Sequence, residues 1–247
     1  MPEVNPDETS REVPESRKRV LGEAFGTWSV VTAVVTACSL LVPSRHVAAA
    51  VGIVFLGATW WFVWRLDDDV VERHGLALGG VVYPGATRWC RVASDAAVSV
   101  LWALAFAAIV FVPFYFGWMA VWKPGRAFVL ATTPSSFLED FASQLAVIAL
   151  PEEAFFRGYL QSRLDVAFPR RVRILGAEVG LSIVITSALF AVGHIATIRS
   201  PARLAVFFPS LLFGWLRART GGIGASVVFH ASCNVFSETL GRGYGLY

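Results

Sequence analysis

The chain has 247 residues, 55% of them apolar and 16% charged, with a formal net charge of +3 and a mean hydropathy of +0.59. This balance is too apolar for one or two soluble domains and places the chain among integral membrane proteins. A charge of +3 spread over connecting segments is a topology signal, so nucleic acid is not an expected partner. Cys38, Cys90 and Cys233 have no CxxC spacing, which argues against a disulfide framework and a thiolate zinc site.

In chain order, residues 1–23 are charged, contain proline and lack apolar periodicity. They predict a disordered cytoplasmic tail with a basic end. The long acidic leader argues against a cleaved signal peptide, and "VTAC" at Cys38 reads as part of a span because the apolar run continues beyond it. Three spans follow at 24–43, 47–64 and 96–118. The Gly-rich stretch 75–87 is too short to cross and reads as interfacial. Four further spans, interrupted by polar residues, are expected at 136–160, 174–196, 203–216 and 221–240, with Pro209 kinking the third of them or making it re-entrant. The expected fold is an all-α, polytopic transmembrane bundle of about seven spans. Its N-terminal spans occupy 24–135 and a second membrane unit occupies 136–247.

Basic residues support that count. With a cytoplasmic N-terminus, fourteen Lys and Arg fall on inside segments and six on outside segments, leaving only Arg157 within a span. Such an excess follows the positive-inside rule and predicts an N-in protein. The use of 19 Arg against 2 Lys fits GC-rich coding and a bacterial cytoplasmic membrane.

The polar residues within the spans are of few kinds. Span four holds Glu139, Asp140, Glu152, Glu153 and Arg157. Span five holds Glu178 and His194, and span seven holds His230, Asn234 and Glu238. Ionisable groups at bilayer depth cost at least about 2.5 kcal/mol each and tend to mark function. Glu139, Asp140, Glu178 and Glu238 lie near span ends and read as solvated. Glu152 and Glu153 could be first-turn carboxylates behind Pro151, with Arg157 pairing with Glu153 at i, i+4. A single buried histidine is as readily a satisfied core residue as a functional one, and Asn234 alone could join two helices. As a set they are harder to dismiss. His230 and Asn234 share one helix face, Phe190 and His194 share another, and Glu152, His194 and His230 come from three different spans. In the expected boundaries His194 falls well outward of Glu152.

"EEAFFRG" (152–158), "FAVGH" (190–194) and "HASCN" (230–234), in that order, resemble the EExxxR, FxxxH and HxxxN motifs of the CAAX-protease and bacteriocin-processing family. That family includes the Ras-converting CAAX endopeptidase and sortase-like myxobacterial members. The resemblance spans about residues 136–240, and the first three spans carry no matching motif. It implies an intramembrane protease of glutamic type acting on a membrane-associated peptide or protein terminus. Glu152 and His194 would activate water, His230 and Asn234 would donate to the oxyanion, and Glu153 and Arg157 would support them. No cofactor is implied by that mechanism. A zinc site with Glu152, His194 and His230 as ligands is the nearest alternative, although no HExxH is present. A non-catalytic scaffold or immunity protein is another. A proton-coupled transporter is a third, and the absence of internal repeats disfavours it. Prenylated C-termini, bacteriocin leaders and C-terminal sorting anchors all remain open as substrates.

Overall fold

The computed structural model describes residues 15–82, 87–130 and 133–246. Helix α1 (Arg17–Leu41) and helix α2 (Ser44–Thr59, continued by a π-helical turn Trp60–Trp64) form an antiparallel pair. A short helix α3 (Asp68–Arg73) and a 3₁₀ turn at Leu78–Gly80 lead to the long helix α4 (Trp89–Trp122). Next comes one continuous helical rod: α5 (Pro134–Ser143), a π segment Gln144–Ala149, α6 (Leu150–Glu153), a π segment Ala154–Gln161 and α7 (Ser162–Ala167). Strands β1 (Arg171–Ile174) and β2 (Ala177–Gly180) precede α8 (Leu181–Thr197), a 3₁₀ turn Pro201–Val206, α9 (Phe207–Thr220) and α10 (Gly224–Gly243).

Among the described residues the architecture is all-α apart from one hairpin, and three helical stretches are long and apolar enough to cross a membrane: Arg17–Leu41, Ser44–Trp64 and Trp89–Trp122, with Leu181–Thr197 a shorter apolar helix. They make this an integral membrane protein, and the three stretches match the first three expected spans.

Several expectations need correction. Residues 1–14 of the expected tail lie outside the described residues, but 17–23 are the first turns of α1 and are not disordered. Ser16 starts this helix by accepting a hydrogen bond from the Arg19 N–H. The expected span at 174–196 begins instead with the hairpin, in which Arg171 pairs with Gly180 and Ile174 with Ala177. Leu175 and Gly176 both have positive φ (49° and 83°), as a two-residue hairpin turn requires. Glu178 therefore sits on a strand and not at the end of a span. Helix α9 runs on to Thr220, and Pro209 is accommodated in its first turn, where an N–H is not needed.

The helix ends gather at two poles. At one pole Arg163 pairs with Glu15 and Glu23, Arg217 donates to the Arg73 carbonyl, the Trp215 indole donates to the Ile174 carbonyl, and Ile223 N–H donates to the Gly75 carbonyl. At the other pole Arg242 bridges Asp140 and Glu238, and Val129 N–H donates to the Gly243 carbonyl. Burial at the first pole drives the His74 imidazole below its usual range, with the Val70 carbonyl acting against that shift and the Arg217 guanidinium adding to it.

Between the poles the core is aromatic. Phe55, Phe155, Phe156, Tyr159 and Phe190 are almost fully buried, and the Phe62 ring stacks on Tyr159 at 4.9 Å. Small residues let the backbones approach, as is general in membrane helix pairs. At Gly52 of α2, a Cβ would sit 2.8 Å from the Val147 carbonyl oxygen of the rod, whereas at Gly57 it would meet nothing within 4 Å. Gly52→Ala is therefore expected to destabilise the protein by about 1–3 kcal/mol, and Gly57→Ala to be neutral or mildly stabilising. Thermal midpoints of the two variants in detergent check this pair.

Candidate active site

The site forms where the rod meets α8, α9 and α10. Glu153 and Arg157 are four residues apart on the rod, so both point to one face. Both are fully buried, and Arg157 Nε donates to Glu153 Oε2 at 3.0 Å. Arg157 also donates through Nη2 to Ser210 Oγ of α9 at 2.8 Å. Its guanidinium lies between the rings of Phe190 and Phe213, 5.4 and 5.7 Å from their centroids, which suits a planar, weakly hydrated cation. The other Glu153 oxygen, Oε1, lies 3.0 Å from His230 Nδ1 on α10. The His230 ring stacks on Phe213 at 4.7 Å.

This array separates the two adjacent glutamates. Glu153 is committed on both oxygens. Glu152 lines a cavity of about 300 Å³ that it shares with His194. Its Oε2 has no hydrogen-bond partner among the described residues and lies 3.9 Å from His230 Nε2. His194 sets its own tautomer. Its Nδ1 lies 2.9 Å from the Phe190 carbonyl oxygen, which can only accept. The proton is therefore on Nδ1, and in the neutral ring Nε2 is left with a lone pair. Phe190 packs against this imidazole at 4.4 Å, as expected from their spacing on α8.

The depth of His194 also resolves. Glu152 lies fifteen residues before the end of α7, and His194 thirteen residues after the start of α8. At about 1.5 Å per residue, the two sit roughly 22 and 20 Å from the hairpin that joins the elements. The expected mismatch came from counting hairpin residues as part of span five and from ending span four at 160, short of the end of α7 at Ala167.

Of the six motif residues, Glu152 and His194 line the cavity. Asn234 shares α10 with His230, but its Nδ2 donates to Gln144 Oε1 at 2.9 Å, outside the Glu153–Arg157–His230 array. An amide nitrogen carries two N–H groups, so this contact engages one of them. Among the described residues, no group of three or more His, Cys, Asp or Glu side chains is disposed to hold a metal ion. The Glu153 hydrogen bond engages His230 Nδ1 and leaves its Nε2 on the side of Glu152.

Two contributions were not anticipated. The first two spans, which carry no motif, supply much of the cavity: Thr32, Val35 and Ser39 from α1, and Val47, Val51 and Phe55 from α2. Ser210 and Gln144 complete the polar network. A hydroxyl or carboxamide within an apolar span is the signal that could have flagged them.

Residues 134–236 match the Rce1-like family, described as type II CAAX prenyl endopeptidase Rce1-like. No curated protein and no solved structure was found to match. The matched region contains all six motif residues. Over that stretch the chain is similar to a family of membrane endopeptidases.

The buried pair gives a stability prediction. Arg157→Leu removes the only guanidinium bonded to Glu153 among the described contacts and leaves a buried carboxylate facing His230 alone. Loss of one partner of a buried pair costs about 3–5 kcal/mol. A fall in thermal midpoint, or retention of the protein by quality-control proteases, is the expected readout, against an unchanged midpoint for the exposed control Arg173→Leu.

Proposed function

We propose that this chain is an intramembrane endopeptidase of glutamic type in which Glu152 is the general base. The observation that carries this reading is the unequal engagement of the glutamates: Glu153 is held by Arg157 and His230, while Glu152 lines the cavity that it shares with His194. In this mechanism a water between Glu152 and the His194 Nε2 lone pair loses a proton to the carboxylate as it attacks the scissile carbonyl. Base and acceptor thus flank one small apolar space, which is the geometry general-base catalysis needs. The carbonyl oxygen gains negative charge and is met by a proton donor on His230 Nε2. Glu153, accepting from Nδ1, holds the ring in place for this contact. Glu152 next delivers its proton to the departing amine.

The reading extends to the substrate and its setting: a membrane-associated peptide or protein terminus, cleaved in a bacterial cytoplasmic membrane by a chain whose N-terminus is cytoplasmic. The excess of basic residues on alternate connections supports the orientation.

Glu152→Gln is expected to abolish cleavage while the protein remains inserted and folded. His194→Ala should remove nearly all activity. Asn234→Ala should reduce the rate on the order of 10²-fold if its free N–H donates to the oxyanion, and by far less if it serves only to hold Gln144. Turnover of Glu152→Gln at near wild-type rate would overturn the assignment. The mechanism also uses no metal, so activity should survive exhaustive chelation. Reversible loss on chelation, together with stoichiometric zinc in the active protein, would recast Glu152, His194 and His230 as ligands.

A further inference from the structure

We infer that the cavity receives its substrate from the extracytoplasmic side of the membrane. Its substrate is then an uncharged, apolar stretch of a polypeptide presented in the outer leaflet. The word substrate here rests on the peptidase reading above; the direction of access does not.

The first step is to tell the poles apart. The start of α1, the end of α7, the hairpin, the end of α9 and the start of α10 meet at one pole through the contacts of Arg163, Arg217, Trp215 and Ile223. Among the described residues, the segments at this pole carry thirteen of the Lys and Arg, against six on the segments at the opposite pole. Short basic connections stay on the cytoplasmic side. The pole with the α1–α2 connection, the end of α8 and the end of α10 is therefore extracytoplasmic.

The second step locates the cavity along that axis. Ser39 is two residues from the end of α1, Val47 lies in the first turn of α2, and Thr197 and Ile198 are at the end of α8. All of these lining residues are at the extracytoplasmic pole, and none is fully buried. The cavity runs inward from them to Glu152 and His194.

On its cytoplasmic side the cavity is closed. Below Glu152 the rings of Phe55, Phe155, Phe156 and Tyr159 pack with centroids 5.2–5.7 Å apart, each at most 6% exposed. Tyr159 is tied to α1 by its hydroxyl, which donates to Thr27 Oγ1 at 3.1 Å. One turn further, Arg163 pins Glu15 and Glu23. A close-packed layer of this kind leaves no path for an extended chain from the cytoplasm without separating α1 from the rod.

The lining fits what would arrive from outside. Apart from Glu152 and His194, it is apolar or hydroxylic, with Thr32, Ser39 and Thr197 able to bond a peptide backbone. No Lys or Arg lines it, so a free terminal carboxylate finds no cation there. A volume of about 300 Å³ lies at the small end of ligand cavities, which favours small side chains around the scissile bond.

The test reads accessibility and needs no turnover, so failure of the peptidase reading would not be mistaken for failure of this inference. In a background with Cys38, Cys90 and Cys233 replaced by alanine, single cysteines are placed by Ser39→Cys and Thr197→Cys in the cavity mouth. Arg45→Cys marks the α1–α2 connection and Arg173→Cys marks the hairpin. Spheroplasts are treated with a membrane-impermeant maleimide before and after lysis. The expected result is labelling of the Arg45, Ser39 and Thr197 variants in intact spheroplasts, and of the Arg173 variant only after lysis. Two mouth positions guard against one variant failing to fold. Labelling of the Arg45 and mouth variants only after lysis would overturn the inference by inverting the topology. Labelling of the Arg45 variant from outside, with both mouth variants reactive only after lysis or unreactive throughout, would overturn it by closing the mouth.

Discussion

A fully buried guanidinium bonded to a fully buried carboxylate is the constraint on which the rest of the site depends. Neither Arg157 nor Glu153 is exposed, and neither is tolerable at bilayer depth without the other. Burying the pair in turn favours partners for the remaining donors and acceptors. Ser210 on α9 takes Arg157 Nη2 and His230 on α10 takes Glu153 Oε1, while Arg157 Nη1 has no hydrogen-bond partner among the described residues, so one ion pair fixes where three elements meet. The flanking rings of Phe190 and Phe213 complete the enclosure and bring α8 to the same point. The consequence for chemistry is indirect. With Glu153 engaged on both oxygens, its neighbour Glu152 lines the cavity with an oxygen that has no hydrogen-bond partner among the described residues.

The cavity is a joint product of two parts of the chain that look unrelated in sequence. The rod and α8 supply Glu152 and His194, while α1 and α2 supply about half of the wall. Close contact at Gly52 sets how deeply α2 seats against the rod, and the aromatic layer from Phe55 to Tyr159 sets the floor. The part that matches the endopeptidase family therefore does not enclose its own site. The first two spans help to wall the space in front of Glu152.

The first three spans and the six motif residues were legible in the sequence for different reasons. Long runs such as 96–118 announce themselves by length and hydropathy alone. Glu152, Glu153, Arg157, His194 and His230 stand out because ionisable groups are rare at that depth. The hairpin was missed because the alternation in Arg171–Ile174 is only four residues long and borders an apolar run that continues into α8. That error displaced His194 along the axis. Which glutamate is held and which is free follows from the tertiary contact with His230, 77 positions away in sequence, and no spacing rule reaches that far. The contribution of α1 and α2 was likewise out of reach, because valines, threonines and a serine in a span carry no chemical signature until the fold places them around a space.

The central claim is that the Glu153–Arg157 pair is a scaffold and that the reacting carboxylate is Glu152. The most direct measurement replaces the pair by neutral residues of similar size, Glu153→Gln with Arg157→Met, and follows both thermal midpoint and cleavage rate. Removing both charges together avoids the uncompensated ion that either single change would leave. The account predicts a folded double variant, more stable than Arg157→Met alone, that still cleaves at a reduced but measurable rate. A folded double variant with no cleavage at all, alongside a Glu152→Gln protein that retains it, would contradict the account and make Glu153 the base.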